Sequence, residues 1–302
     1  VKISKDSTVG EIIKNNPKAA EVFQQMGMKC LGCPSASSET VANAAEIHGM
    51  DLHRLLEQLQ SAGMGEMSQE ARAMAQPHGA VLQRDKQTYA IVPHIPGGIT
   101  DPQTLRKIAD VAEKYQAAAL KITSAQRIAI VGLKPEDVET AWDELGMDPG
   151  AAVGLCLRSV KICPGTTFCK RGQQDSVSLG LEIDKRYHGR ELPGKTKIAV
   201  SGCQNSCSEP AVRDIGIMGT PRGFTILVGG NAGLRPRLGD VLVEHREPQE
   251  VLEIVDRILD YYQRNGKRNE RIGRMIDRIG LDTLQKAVLA GDYESSPETA
   301  KH

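Results

Sequence analysis

Aromatic side chains are scarce. One Trp, three Phe and six Tyr make up 3% of the 302 residues. A core must therefore be filled mainly by Ile, Leu, Val, Ala and Met, and a hydrophobic fraction of 40% is enough to bury a sizeable one. Net charge is also missing, since Lys plus Arg and Asp plus Glu number 38 each. The balance gives no hint of nucleic acid or of a membrane surface as partner, although local basic clusters can still bind small anions. No run approaches the roughly 20 apolar residues of a membrane span. The opening Val1-Lys2-Ile3-Ser4 lacks the apolar core of a signal peptide, so a cytoplasmic protein is the expectation. No internal repeat and no flavin or nicotinamide fingerprint is evident. The seven cysteines are an odd number in a chain without a secretion signal. That argues against a disulfide framework and toward metal or redox chemistry.

Four segments are expected: a helical module over 1–62, a linker over 63–79, an α+β half-domain over 80–149, and an α/β domain over 150–302 that ends in helices. In the first, Thr8-Val9-Gly10-Glu11 has the form of a capping box. Pro17 suits the first turn of a second helix, and Gly27 is a stop for it. Ser37 and Ser38 are placed to cap a helix toward His48, and Asp51 the next, through Leu59. The linker carries Gly, Met, Gln and Ala without a sustained period. From residue 80 the pattern reads strand (Thr88 to Pro93), helix (Pro102 to Tyr115), two strands (Leu120 to Thr123, Ile128 to Leu133) and helix (Pro135 to Gly146). That order suggests a ferredoxin-like half-domain. Beyond it, Gln173 to His188 reads as a helix. Lys197 to Val200, Ile215 to Met218 and Phe224 to Val228 read as strands between Gly-rich turns. The last 55 residues look helical, with a polar tail after Tyr293.

Chemistry concentrates in four cysteines. Cys163-Pro-Gly-Thr-Thr-Phe-Cys169 has five residues between its thiols, and Cys203-Gln-Asn-Ser-Cys207 has three. Four thiolates suit zinc or an iron–sulfur cluster. Zinc knuckles usually have tighter spacing, whereas a cubane needs ligands spread around a larger object. The small residues Gly165 and Gly202 let backbone approach such a cluster closely, so that amide N–H groups can bond its sulfurs. The bland alternative is four buried, unreactive cysteines.

The run from Arg158 through Cys163 and Cys169 to Gly172, followed by Lys195-Thr-Lys197-Ile-Ala-Val-Ser-Gly-Cys203-Gln-Asn-Ser-Cys207, resembles the sirohaem-dependent nitrite and sulfite reductase family. Lys121-Ile-Thr-Ser-Ala-Gln-Arg127-Ile-Ala-Ile-Val-Gly132 resembles that family's ferredoxin-like half-domain. Gly229-Gly-Asn231-Ala-Gly233 resembles its Gly-rich cofactor loop. The likeness covers about residues 80–260. It implies a [4Fe–4S] cluster on Cys163, Cys169, Cys203 and Cys207, coupled to sirohaem through the Cys207 thiolate. It also implies six-electron reduction of sulfite to sulfide or, alternatively, of nitrite to ammonia.

The resemblance places Arg158, Lys195 and Lys197 at active-site positions, where arginine binds an oxyanion through its fork and lysine adds point charge and protons. Lys195 and Lys197 alternate on a strand and so share a face. Arg127 stands two residues from the position where the family often has arginine, here Ala125, and that spacing keeps the same strand face. Otherwise a Lys-x-Lys is a solvated edge. The eight carboxylates of sirohaem need cationic and amide partners. The candidates are Lys170, Arg171, Asn205, Arg213, Asn231, Arg235 and Arg237.

The best-known members carry two copies of the repeat and this chain one, so either one chain completes the site or two share it, as in a homodimer. Electrons are expected from a separate donor such as a ferredoxin. Met28-Lys29-Cys30-Leu-Gly-Cys33-Pro34 resembles a small domain of unknown function, and Cys30 and Cys33 have the spacing of a dithiol–disulfide switch. Two rival classes stay open. A non-catalytic iron–sulfur electron-transfer subunit would hold cluster without sirohaem, and a zinc-stabilised binding module would be colourless.

Overall fold

The computed structural model describes residues 5–26, 28, 39–48, 51–61 and 79–289. Gly27, Cys30, Cys33, Ser37, Ser38, nearly all of the expected linker and the tail lie outside the described residues. The chain divides into two compact units. One comprises Val1–Ile91, Tyr115–Ala118 and Val131–Glu144. The other comprises Val92–Lys114, Ala119–Ile130 and Leu145–His302.

In the first unit, helices α1 (Val9–Asn15), α2 (Ala19–Gln25), α3 (Val41–His48) and α4 (Leu52–Ser61) close over a core of their own. Val9, Ile12, Phe23, Met28, Val41, Leu55 and Leu59 fill it. The capping box at the start of α1 is present in both directions: Glu11 N–H donates to Thr8 Oγ1 at 3.2 Å, and Thr8 N–H donates to Glu11 Oε2 at 3.3 Å. Before α3, Thr40 Oγ1 accepts from Asn43 N–H at 3.2 Å and caps the helix. Strands β1 (Ala80–Leu82) and β2 (Tyr89–Ile91) form an antiparallel hairpin. Asp85 ties its turn by accepting from the N–H groups of Gln87 and Thr88 at 2.9 Å each.

A four-stranded sheet runs β1-β2-β4-β3, with β3 at Ala119–Ile122 and β4 at Ile128–Leu133. Helices α5 (Pro102–Lys114) and α6 (Val138–Leu145) occupy the expected places. Strand β1 adds to the expected order. At three residues it is too short to show a period in the sequence.

The second unit is built on a five-stranded sheet ordered β5-β6-β7-β8-β9. Strands β5 (Leu157–Ile162), β6 (Thr196–Ser201) and β7 (Ile215–Thr220) are parallel. Strands β8 (Gly223–Val228) and β9 (Asp240–Arg246) continue antiparallel. The sequence reading had no strand at β5 or β9, because their charged residues break the apolar run. Helix α8 (Ser176–Tyr187) starts where Asp175 accepts from Val177 and Ser178 N–H, and it returns the chain from β5 to β6. Helices α9 (Pro248–Asn265), α10 (Ile272–Ile279) and α11 (Leu281–Leu289) complete the core with the sheet residues Leu157, Ile198, Ile215, Phe224 and Ile226. No helix among the described residues is long and apolar enough to cross a membrane.

Candidate active site

The parallel strands bring one kind of chemistry to each end. At their starts stand Arg158 on β5, Lys195 and Lys197 at β6, and Arg213 and Asp214 just before β7. Asp214 is fully buried. Its carboxylate is held by Arg271 through two bonds, Nε–Oδ1 at 2.7 Å and Nη2–Oδ2 at 2.6 Å, and it accepts Lys197 N–H at 2.8 Å. Burial opposes the charge of Arg271, but the Asp214 pair overcomes it and lifts the arginine above its ordinary value. Arg271, so anchored, lies within electrostatic reach of Arg158, Lys195 and Lys197.

The cations depress one another. Lys197 is held below the usual lysine range by burial first, then by Lys195, Arg213, Arg271 and Arg158. Lys195 is lowered by burial and by Arg158 and Arg271. Burial also lowers Arg158, whose guanidinium donates to the carbonyls of Gly154 (3.1 and 2.9 Å) and Ala152 (3.1 Å). These partners are neutral, so the charge itself is left for an anion.

Arg127 is only 7% exposed, and its Nε and Nη1 have no hydrogen-bond partner. Unpartnered buried guanidinium donors are costly unless a ligand meets them. The residue before it sets its place. Gln126, at a φ of 58°, closes the β3–β4 turn and bonds the β5 backbone twice: Nε2 donates to Ile162 O at 2.8 Å, and Oε1 accepts Ile162 N–H at 2.9 Å. The turn is thereby fixed beside the strand that leads into Cys163.

At the other ends of the strands lie the cysteine loops. Cys163 follows β5 and is buried; Cys169 and Cys203 are half-buried and Cys207 is exposed. The first pair flanks a short helix, α7 (Gly165–Phe168). Glycines lock the two loops together. A Cβ on Gly202 would lie 2.6 Å from Gln174 O and 2.7 Å from Gly165 Cα, and one on Gly172 would lie 2.5 Å from Gly165 C. Gly202 N–H donates to Cys163 Sγ at 3.0 Å, while Gln173 and Gln174 N–H donate to Gly202 O at 2.8 and 2.9 Å. After Cys207 the chain returns toward β7, and Glu209 accepts Lys161 Nζ at 3.1 Å and Arg213 Nη2 at 2.5 Å.

These observations fit the cofactors that the sequence resemblance implies. Glycine-lined loops bring backbone N–H groups to sulfur, as a cubane cluster requires. Among the described residues no three His, Cys, Asp or Glu side chains converge on one metal-ion position. Thiolates around a cubane bind separate irons and stand further apart than ligands of a single ion. Surplus cations and the orphaned donors of Arg127 suit an anionic macrocycle and an oxyanion.

The other expected residues divide. Lys170, Arg171, Asn205 and Arg235 are exposed. Asn231 folds its Gly-rich loop, donating from Nδ2 to Arg235 O at 3.1 Å. Arg237 bonds Asp240 at 2.6 Å, Asp277 at 3.1 Å and the carbonyls of Gly229 and Leu238, which makes it a brace of that loop. Asp214, Arg271 and Gln126 were missed by sequence reasoning, since no local spacing marks them.

Comparison with known proteins gives the family. Residues 153–295 match the Nitrite and sulphite reductase 4Fe-4S domain, and 81–147 the Nitrite/Sulfite reductase ferredoxin-like half domain. Residues 3–56 match a domain of unknown function, DUF1858. An assimilatory-type sulfite reductase of Nitratidesulfovibrio vulgaris is 43% identical over 214 residues, 71% of this chain and 98% of that protein. An NAD(P)H nitrite reductase of Bacillus subtilis is 41% identical over 209 residues, 69% of this chain but 26% of the relative. The crystal structure of dissimilatory sulfite reductase I shares the fold, with a TM-score of 0.62 at 18% identity over 71% of each chain. The chain belongs to the sirohaem-dependent nitrite and sulfite reductases, oxidoreductases that carry a [4Fe–4S] cluster and sirohaem.

Proposed function

We propose that this chain reduces sulfite to sulfide, with Arg127, Arg158, Lys195 and Lys197 forming the oxyanion pocket. Cys163, Cys169, Cys203 and Cys207 would hold the cluster, with Cys207 the exposed one of the four. The observation that carries the reading is the grouping of Lys195, Lys197 and Arg158, mutually repelling and with no carboxylate among the described residues bonded to their side chains, beside the Arg271–Asp214 pair at the strand starts. Three cations without a bonded carboxylate attract a small anion and keep it oriented.

When bound, the cofactor pair would supply the electrons for the reduction. The protein supplies the rest. Arg158 and Arg127 offer guanidinium donors to the oxyanion oxygens. Lys195 and Lys197 neutralise its charge and, with their ammonium groups depressed toward the working pH, release protons more readily than ordinary lysines. Arg213, Asn205, Lys170 and Arg171 are the partners proposed for the macrocycle's carboxylates, together with Arg235. Electrons arrive from a separate donor protein.

Nitrite reduction by the same groups is the second reading, favoured by the 41% identity to a nitrite reductase. The absorption spectrum with iron, sulfide and zinc analysis tests the cofactors. Sirohaem bands with iron and acid-labile sulfide are expected, and a colourless zinc protein overturns the proposal. Steady-state kinetics with each oxyanion then decide the substrate, and the higher kcat/KM is expected for sulfite.

A further inference from the structure

A second polar cluster lies behind Arg127, and the oxyanion pocket does not use it. Two extended segments clip together where His94 N–H donates to Asp148 O and Gly150 N–H donates to Val92 O, at 2.8 Å each. From this clip His94 Nε2 reaches to 2.7 Å from Asp184 Oδ2, a carboxylate 2% exposed on α8. His188, at the end of α8, stacks on His94 with ring centroids 3.6 Å apart and planes 20° from parallel. The His188 ring is hydrogen-bonded to the Gly150 backbone. Arg127 packs on the same glycine: a Cβ there would lie 2.6 Å from Arg127 Nη1.

The cluster is badly satisfied as a purely structural feature. His94 Nδ1 and His188 Nε2 are buried without partners, as are Arg127 Nε and Nη1. One carboxylate faces two imidazoles and a guanidinium. Arg127 feels Asp184 as its opposite charge and Arg158, on β5, as a like charge; Cys156 lies near both arginines. Buried polar groups left in this state are costly and call for a functional explanation.

We infer that Asp184, His94 and His188 are positioning residues for Arg127, and that one proton held on the stacked imidazoles decides whether Asp184 or the oxyanion claims its guanidinium. The inference rests on the proposed membership of Arg127 in the oxyanion pocket. With both rings neutral, Asp184 is the counter-charge of Arg127 and competes with substrate. A proton taken from water by the pair gives Asp184 an imidazolium at 2.7 Å and leaves the Arg127 charge uncompensated. Both rings cannot be charged together, because three cations would then face one buried carboxylate. Burial and His94 push His188 below the ordinary histidine value, which fits a pair that carries one proton rather than two.

Coupling of this kind is reciprocal: if the proton tightens anion binding, anion binding takes up the proton. The test is equilibrium binding of nitrite to the oxidised holoprotein, since the charge of nitrite is constant between about pH 5 and pH 8. Affinity is followed by absorption, and proton uptake by calorimetry in buffers of different ionisation enthalpy. Wild-type protein is expected to take up a fraction of a proton per nitrite and to bind about fivefold more tightly at the acidic end. His94→Gln, His188→Gln and Asp184→Asn are each expected to abolish the uptake and flatten the pH dependence. No uptake by wild-type protein, which needs no substitution to measure, overturns the inference. So does unchanged uptake in both histidine variants while Arg127→Ala weakens binding, and in that case the oxyanion pocket itself stands. If Arg127→Ala leaves nitrite affinity unaltered, the assignment of Arg127 to the pocket fails and the inference falls with it.

Discussion

Lys197 is a half-buried ammonium that feels Lys195, Arg213, Arg271 and Arg158 around it. Its main chain is anchored, because its N–H donates to Asp214 at 2.8 Å, so losing the side chain should leave the strand in place. Lys197→Ala is expected to keep both cofactors and to weaken oxyanion binding by about 1.5–3 kcal/mol, roughly tenfold or more in KM. Steady-state kinetics beside an unchanged absorption spectrum check this. The pH dependence has a definite sign. Anion affinity needs the ammonium, so it is present below the lysine's folded pKa and lost as pH rises through it. Burial and like charges lower that pKa, so KM should climb at a pH below the ordinary lysine range near 10.4. Lys197→Arg should move the climb upward, as KM–pH profiles of the two proteins will show. At this scale the sequence was legible where candidate residues sit in short runs, as in Lys195-Thr-Lys197 and Cys203 to Cys207. It was not legible where a partner comes from far along the chain. Asp214 and Arg271 are 57 residues apart, and neither stands in a run that announces an ion pair.

The two cysteine loops work as one element because glycines at Gly165, Gly172 and Gly202 let their backbones meet. Gly202 has no room for a methyl group: backbone atoms of Gln174 and Gly165 would lie within 2.7 Å of it. Gly202→Ala must therefore part the loops and disturb the Gly202 N–H bond to Cys163 Sγ. A cost of about 1–3 kcal/mol or more is expected. The cluster should be incorporated poorly, with iron and acid-labile sulfide falling below wild type and thermal unfolding occurring earlier. Full iron content at wild-type stability would show that the loops can separate without harm. The elements themselves were only partly readable. Strands β6, β7 and β8 are apolar runs between turns and stood out. Strand β5 did not, because Arg158 and Lys161 interrupt its apolar run, the second of them paired with Glu209. In β9, Asp240, Glu244, His245 and Arg246 hide an edge strand in the same way.

At the scale of the whole molecule, the hydrophobic cores decide what can be removed. Among the described residues, the core of α1 to α4 draws on residues between Val9 and Leu59, while the core of the sheet with α8 to α11 runs from Leu157 to Val288. A segment that closes its own core can be deleted without opening another. The ion pair from Lys14 to Glu139 spans 3.9 Å between exposed groups and contributes little. Deleting residues 1–62 should therefore leave cluster and sirohaem in place, with oxyanion reduction retained when a chemical reductant supplies electrons. Turnover with the physiological donor is expected to fall, because a tethered dithiol at Cys30 and Cys33 is suited to docking that donor or passing electrons onward. The Cys30→Ser, Cys33→Ser double variant should reproduce the fall without any loss of cofactor. Iron content and the absorption spectrum of the truncated protein come first: if it cannot hold its cofactors, the helical module is part of the catalytic fold. If donor-driven and chemically driven turnover both survive truncation unchanged, the module has no part in electron delivery.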